Sequence, residues 1–171
     1  MNNNIKSILY KPYSLIKHNI YITTKLYRKD SNQKNILNYI NSKNLVSTTY
    51  YLIAVDTKNF RTYIFTGSKN NWKLVKNYVC SIGKPSTPTP KVNFTVGIKG
   101  LSFGERHGYK CRYYTQFKGN YLFHSIIYNL NGSVRDGRLG MALSDGCVRL
   151  SLENAKWIYE NIPKGTLVNI F

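Results

Sequence analysis

From residue 49 onward the chain is written in short apolar or alternating runs separated by turn chemistry, a pattern of strands rather than helices. Tyr50-Tyr-Leu-Ile-Ala-Val-Asp56 is rich in β-branched and aromatic residues and predicts a first strand. The side chains of Asp56-Thr-Lys-Asn59 favour a turn, and Phe60-Arg-Thr-Tyr-Ile-Phe-Thr66 alternates, so a second strand pairs back on the first. Gly67–Asn71 turns again and Trp72–Val79 makes a third strand, giving an antiparallel meander. The three prolines of Gly83–Pro90 make a stiff loop that cannot be a central strand. Val92–Val96 resumes alternation, and Tyr109–Phe117 and Tyr121–Tyr128 flank Lys118-Gly-Asn120 as a hairpin. Asn129–Gly140 reads as a polar, glycine-containing loop that borders a site.

One segment has helical rather than strand periodicity. Leu152, Ala155, Ile158, Tyr159 and Ile162 fall on one helix face, with Ser151 as N-cap, Glu153 in the first turn, and Pro163 and Gly165 as the stop. Thr166–Phe171 closes the chain as a last strand. The pattern therefore predicts a mostly β domain over residues 48–171, a sandwich or barrel with one late helix. Residues 1–47 differ. They are rich in Asn, Lys and Ser with short apolar clusters, and predict an N-terminal extension of short helices or irregular segments.

Composition changes this picture in two respects. The chain of 171 residues is 42% hydrophobic, enough for one domain with a real core. It also carries 25 basic and 7 acidic residues, a formal charge of +18, which points to an anionic partner such as a wall polymer. The Lys and Arg residues are scattered and match no nucleic-acid-reading motif, so no specific nucleic acid is expected. No apolar run is long enough to span a membrane, and the N-terminus lacks the apolar core and cleavage site of a signal peptide. Cys80, Cys111 and Cys147 show no metal-ligand spacing with His18, His107 or His124, so no metal site is expected. The spacing leaves a Cys80–Cys111 disulfide open, although two small buried hydrophobes are the simpler reading.

The candidate chemistry lies in Ser144-Asp-Gly-Cys-Val-Arg-Leu150, which reads as a loop that places Cys147 just before the predicted helix. Gly146 lets the backbone take unusual geometry, and the amides of Gly146 and Cys147 are candidate oxyanion donors. A free thiol titrates at about 8.5, so a nucleophilic Cys147 needs a histidine to take its proton. His124 sits in an otherwise apolar strand, 23 residues earlier, within reach of a strand–loop–strand return.

Phe123-His124-Ser125, Leu139-Gly140, Ser144 to Leu150, Ala155–Tyr159 and Gly165-Thr166 together closely resemble the catalytic domain of L,D-transpeptidases, the YkuD-type fold. The resemblance extends back through Tyr51–Gly67 and Gly83–Thr89 and covers roughly residues 48–171. It implies a cysteine transpeptidase of peptidoglycan that forms 3-3 cross-links. Cys147 would attack the carbonyl preceding the terminal D-Ala of a stem tetrapeptide. D-Ala would leave with a proton from His124, and the acyl-enzyme thioester would pass to an acceptor amine, or to water in an L,D-carboxypeptidase side reaction. The resemblance implies no metal or organic cofactor, and a place outside the cytoplasm at the cell wall. It assigns to the Ser125 carbonyl the orienting of the imidazole, and to Ser144 and Arg149 the shaping of the cysteine loop and substrate pocket. For Arg149 a structural ion pair is the rival assignment. Asp145 departs from the family, which often has histidine there, and an anionic neighbour disfavours a thiolate. Two other readings compete: a sortase-like cysteine transpeptidase, and a wall-binding module with an inactive relic site.

Overall fold

A computed structural model describes residues 32–171. The chain divides into a unit of Met1–Tyr39 and a unit of Ile40–Phe171. Most of the expected N-terminal extension thus lies outside the described residues. Its described part is a helix, α1, over residues 32–42, followed by an irregular stretch to residue 50. Within the second unit, the end of α1 is tied down by Asn41, whose side chain accepts from the Trp72 amide (2.7 Å) and donates to the Trp72 carbonyl (3.1 Å).

The first three strands form the expected meander: β1 (Tyr51–Asp56), β2 (Arg61–Thr66) and β3 (Lys73–Val79), with β1 antiparallel to β2 and β2 to β3. Asp56 turns the first corner, its carboxylate accepting from the amides of Lys58 and Asn59. The sheet is completed by β13 (Leu167–Ile170), parallel to β1, and β5 (Asn93–Thr95), in the order β3-β2-β1-β13-β5.

The second sheet curls into a half-barrel and holds the 110–128 hairpin. Its strands run β10 (Val134–Asp136), β9 (Ile127–Tyr128), β7 (Lys110–Lys118), β8 (Tyr121–Ser125) and β12 (Val148–Leu150), with β6 (Lys99–Phe103) also on β7. A small parallel pair, β4 (Ile82–Gly83) and β11 (Ala142–Ser144), joins the proline-rich loop to the cysteine loop.

The late helix, α2 (Leu152–Asn161), begins as expected: the Ser151 hydroxyl accepts from the Asn154 amide. It packs across β7, β8 and β12. Ala155, Ile158 and Ile162 meet Ile53, Val55 and Val168 of the first sheet and Phe117, Phe123, Val148 and Leu150 of the second in one core. Cys80 and Cys111 are buried, unpaired thiols, both pushed up to about 12 by burial.

Two expectations need correction. The 129–140 segment is not all loop, because Val134–Asp136 pairs with β9. Cys147 does not lead directly into the helix, because β12 intervenes and pairs parallel with β8.

Candidate active site

The β8–β12 register builds the site. Val148 stands beside Phe123, Arg149 beside His124, and Leu150 beside Ser125. Side chains alternate across a strand, and Phe123, Val148 and Leu150 point into the core. Arg149 and His124 therefore stand side by side on the opposite face, with Cys147 two residues before Arg149, at the entry to β12.

His124 is 5% exposed, and its Nδ1 lies 2.6 Å from the Ser125 carbonyl oxygen. A carbonyl only accepts, so Nδ1 carries the ring proton and Nε2 presents a lone pair. The Phe103 ring stands edge-to-face with the imidazole, centroids 5.3 Å apart. Burial pushes the imidazole down to about 4, against the raising effect of the Ser125 carbonyl, and the Arg149 charge lowers it further. The ring is neutral at neutral pH. The Ser125 hydroxyl is used elsewhere: it accepts from the Arg112 amide (2.8 Å) and donates to the Ile126 carbonyl (2.7 Å).

Cys147 is half-buried, its thiol 3.5 Å from the Asn120 carbonyl in the β7–β8 turn. Burial pushes the thiol up; a hydrogen bond from the Leu122 backbone opposes this, Asp145 adds to it, and Arg149 opposes it. Both partners thus rest in their neutral forms.

The loop before Cys147 is held by hydrogen bonds from two directions. Ser144 Oγ donates to the Cys147 carbonyl (2.6 Å) and accepts from the Gly146 amide (3.2 Å). From the proline-rich loop, Thr89 Oγ1 donates to the Gly146 carbonyl (2.8 Å) and accepts from the Gly83 amide (2.9 Å). Gly146 has φ of +110°, and a Cβ there would overlap the Tyr121 ring, so any other residue would be strained at this position. Asp145 is turned away from this frame. Its carboxylate pairs with Lys84 (2.7 Å) and accepts from Thr87 Oγ1 (3.4 Å), and Lys84 holds it below the usual carboxylate range. At 80% side-chain exposure, most of its charge is screened by water.

Arg149 is a buried cation, 4% exposed, paired with Asp136 of β10 at 2.9 Å. Its backbone exchanges hydrogen bonds with Ser81 in both directions (2.8 and 2.9 Å).

The family model of the L,D-transpeptidase catalytic domain, YkuD, matches residues 50–170, the span of both sheets and α2. The chain belongs to this family. Members of the YkuD family act on peptidoglycan, outside the cytoplasm. YciB of Bacillus subtilis (strain 168) is 33% identical to this YkuD domain over 125 residues, covering 69% of the chain and 64% of YciB. A crystal structure of a fused Zn-dependent amidase/peptidase/peptidoglycan-binding domain-containing protein from Clostridium acetobutylicum ATCC 824 is 42% identical. Its TM-score is 0.71, over 83% of this chain and 61% of that one. The L,D-transpeptidase LdtMt1, solved in complex with imipenem, shares the YkuD fold at a TM-score of 0.56 and 18% identity, over 71% of this chain and 59% of that one. The chain thus spans under two thirds of the length of these relatives.

All six residues singled out in the sequence, His124, Ser125, Ser144, Gly146, Cys147 and Arg149, lie on β8, the end of β11, β12 and the loop between β11 and β12 of the YkuD domain. Sequence reasoning missed Asp136, Thr89 and the Asn120 carbonyl. The only signal for Asp136 was a lone acid between Arg135 and Arg138.

Proposed function

We propose that this chain is a cysteine L,D-transpeptidase that forms 3-3 cross-links between peptidoglycan stems, with Cys147 as nucleophile and His124 as acid–base. The observation that carries the reading is the register that sets His124 beside Arg149, one pleat from Cys147, with Nε2 free to act.

The reaction starts from a neutral thiol and a neutral imidazole. As the sulfur attacks the carbonyl before the terminal D-Ala of a stem tetrapeptide, Nε2 takes the thiol proton. The imidazolium is disfavoured by burial, so it readily returns that proton to the departing D-Ala nitrogen. Free D-Ala and a thioester on Cys147 result. A stem amine then attacks the thioester, His124 takes its proton and gives it to the leaving sulfur, and an amide cross-link forms. Water in place of the amine gives L,D-carboxypeptidase turnover. The Gly146 amide is already bonded to Ser144, so we assign the oxyanion contact to the Cys147 amide. Ser144 and Thr89 hold the loop that aims this amide, and the Ser125 carbonyl fixes the imidazole tautomer.

Two incubations test the reading. Muropeptides mixed with the protein should lose D-Ala and gain 3-3 dimers by mass spectrometry, and Cys147→Ala should abolish both. Imipenem should add its mass to the wild-type chain and not to Cys147→Ala. A protein that retains wall fragments equally with and without Cys147, and never acylates, would instead be a binding module.

A further inference from the structure

The Asp136 cluster is not used by the chemistry above. Arg149 is a cation with almost no exposed surface, and a buried guanidinium needs a counter-charge. Asp136 supplies it through Oδ2, 2.9 Å from Nη1. The same carboxylate also accepts from Arg138: Nε (2.9 Å) and the backbone amide (3.1 Å) reach Oδ1, and Nη2 reaches Oδ2 at 3.0 Å. Two guanidiniums therefore share one carboxylate, and the cluster keeps one net positive charge. The Arg149 backbone is clamped to Ser81, so the position of its head rests on the side chain alone. Its Nε is buried and finds no hydrogen-bond partner among the described residues, which leaves Asp136 as the ion pair that holds the head.

We propose that Asp136 is a positioning residue of this site: it fixes where the Arg149 guanidinium stands beside His124, and it sets how much of that positive charge reaches the imidazole and the Cys147 thiol. The β9–β10 hairpin, which supplies no group to the reaction itself, thereby tunes the reacting pair. This deepens the catalytic reading and takes the roles of Cys147 and His124 from it.

Other charged groups around the pair come from three directions. Asp145, with Lys84, approaches from the cysteine loop. Tyr109 and Cys111 approach from the β7 side, with the Glu105–Lys110 pair behind them. Arg135 lies over the Tyr109 ring.

The test measures alkylation of Cys147 by iodoacetamide against pH, located by peptide mass spectrometry, so it needs no transpeptidase turnover. Asp136→Asn leaves the Arg149 charge unbalanced, and the thiol midpoint should move down by roughly 0.5–1 pH unit. Asp136→Glu keeps the charge and should stay near the wild type. Arg138→Gln alters an exposed side chain, should fold as the wild type does, and leaves Asp136 to Arg149 alone, so the midpoint should move up. Opposite shifts in the Asn and Gln variants are the expected result. If Arg138→Gln leaves the midpoint in place, or moves it down, the proposal is overturned, whether or not Asp136→Asn folds. Shifts as expected in a protein that makes no cross-links would leave this proposal standing and remove the transpeptidase reading alone.

Discussion

His124 and Cys147 are each pushed toward the uncharged form by the same cause, burial. The imidazole carries a measurable consequence for stability. Between its ordinary 6.5 and the buried value of about 4, the unfolded chain binds a proton that the folded chain refuses. Stability is therefore complete above pH 6.5 and falls as pH drops toward 4. Denaturant unfolding at pH 7 and pH 4.5 should differ by about 2–3 kcal/mol from this residue. Asp136 and Asp145, whose pKa values are lowered, act in a more acidic window and do not mask the effect. His124→Gln should show a flatter pH dependence over that range. An unchanged slope in the variant would mean that the ring is protonated in the folded protein. At this scale the candidate residues were legible, because Cys147, Gly146 and His124 are residue types with few other reasons to occur in that order. It did not mark Asp136, since an ion pair is a fact of three dimensions: the partners lie 13 residues apart on strands that do not touch in sequence pattern.

Among the elements, those with long alternation or clear caps were legible: β1, β2, β3, the β7–β8 hairpin, α2 and β13. β10 was read as loop, and β4, β6, β11 and β12 were given no strand. Three of them are only three residues long, too short for a period to show. In β6, Gly100 interrupts the pattern because the Tyr114 ring occupies the space of its missing side chain. The unread strands matter most for the site. Parallel pairing of β8 and β12 has a period of two, so a slip of one residue would turn either His124 or Arg149 into the core. What secures the register is the core packing of Val148 and Leu150, and the helix that follows them at once. The Ser151 cap is part of that anchor. Ser151→Ala should cost about 1 kcal/mol, read as a shifted denaturation midpoint at unchanged slope. A neutral result would show that packing alone starts the helix.

The whole molecule is defined by its charge of +18 and by how its first sheet closes. The charge suits retention on anionic wall polymers, and such binding is screened over about 10 Å at 0.1 M salt. Binding to isolated walls should therefore weaken steeply between 50 mM and 500 mM NaCl, and retention indifferent to salt would remove the charge from the account. The sheet order has a different consequence. β13 fills the slot between β1 and β5, and the Phe171 carbonyl accepts from both the Thr57 amide and its hydroxyl. Without residues 166–171 the first sheet would lack the strand that joins β1 to β5 and two core side chains, Val168 and Ile170. Closure of this sheet therefore depends on a pairing between the first and the last strand of the domain, β1 with β13, so the contact that completes it is also among the most distant in sequence.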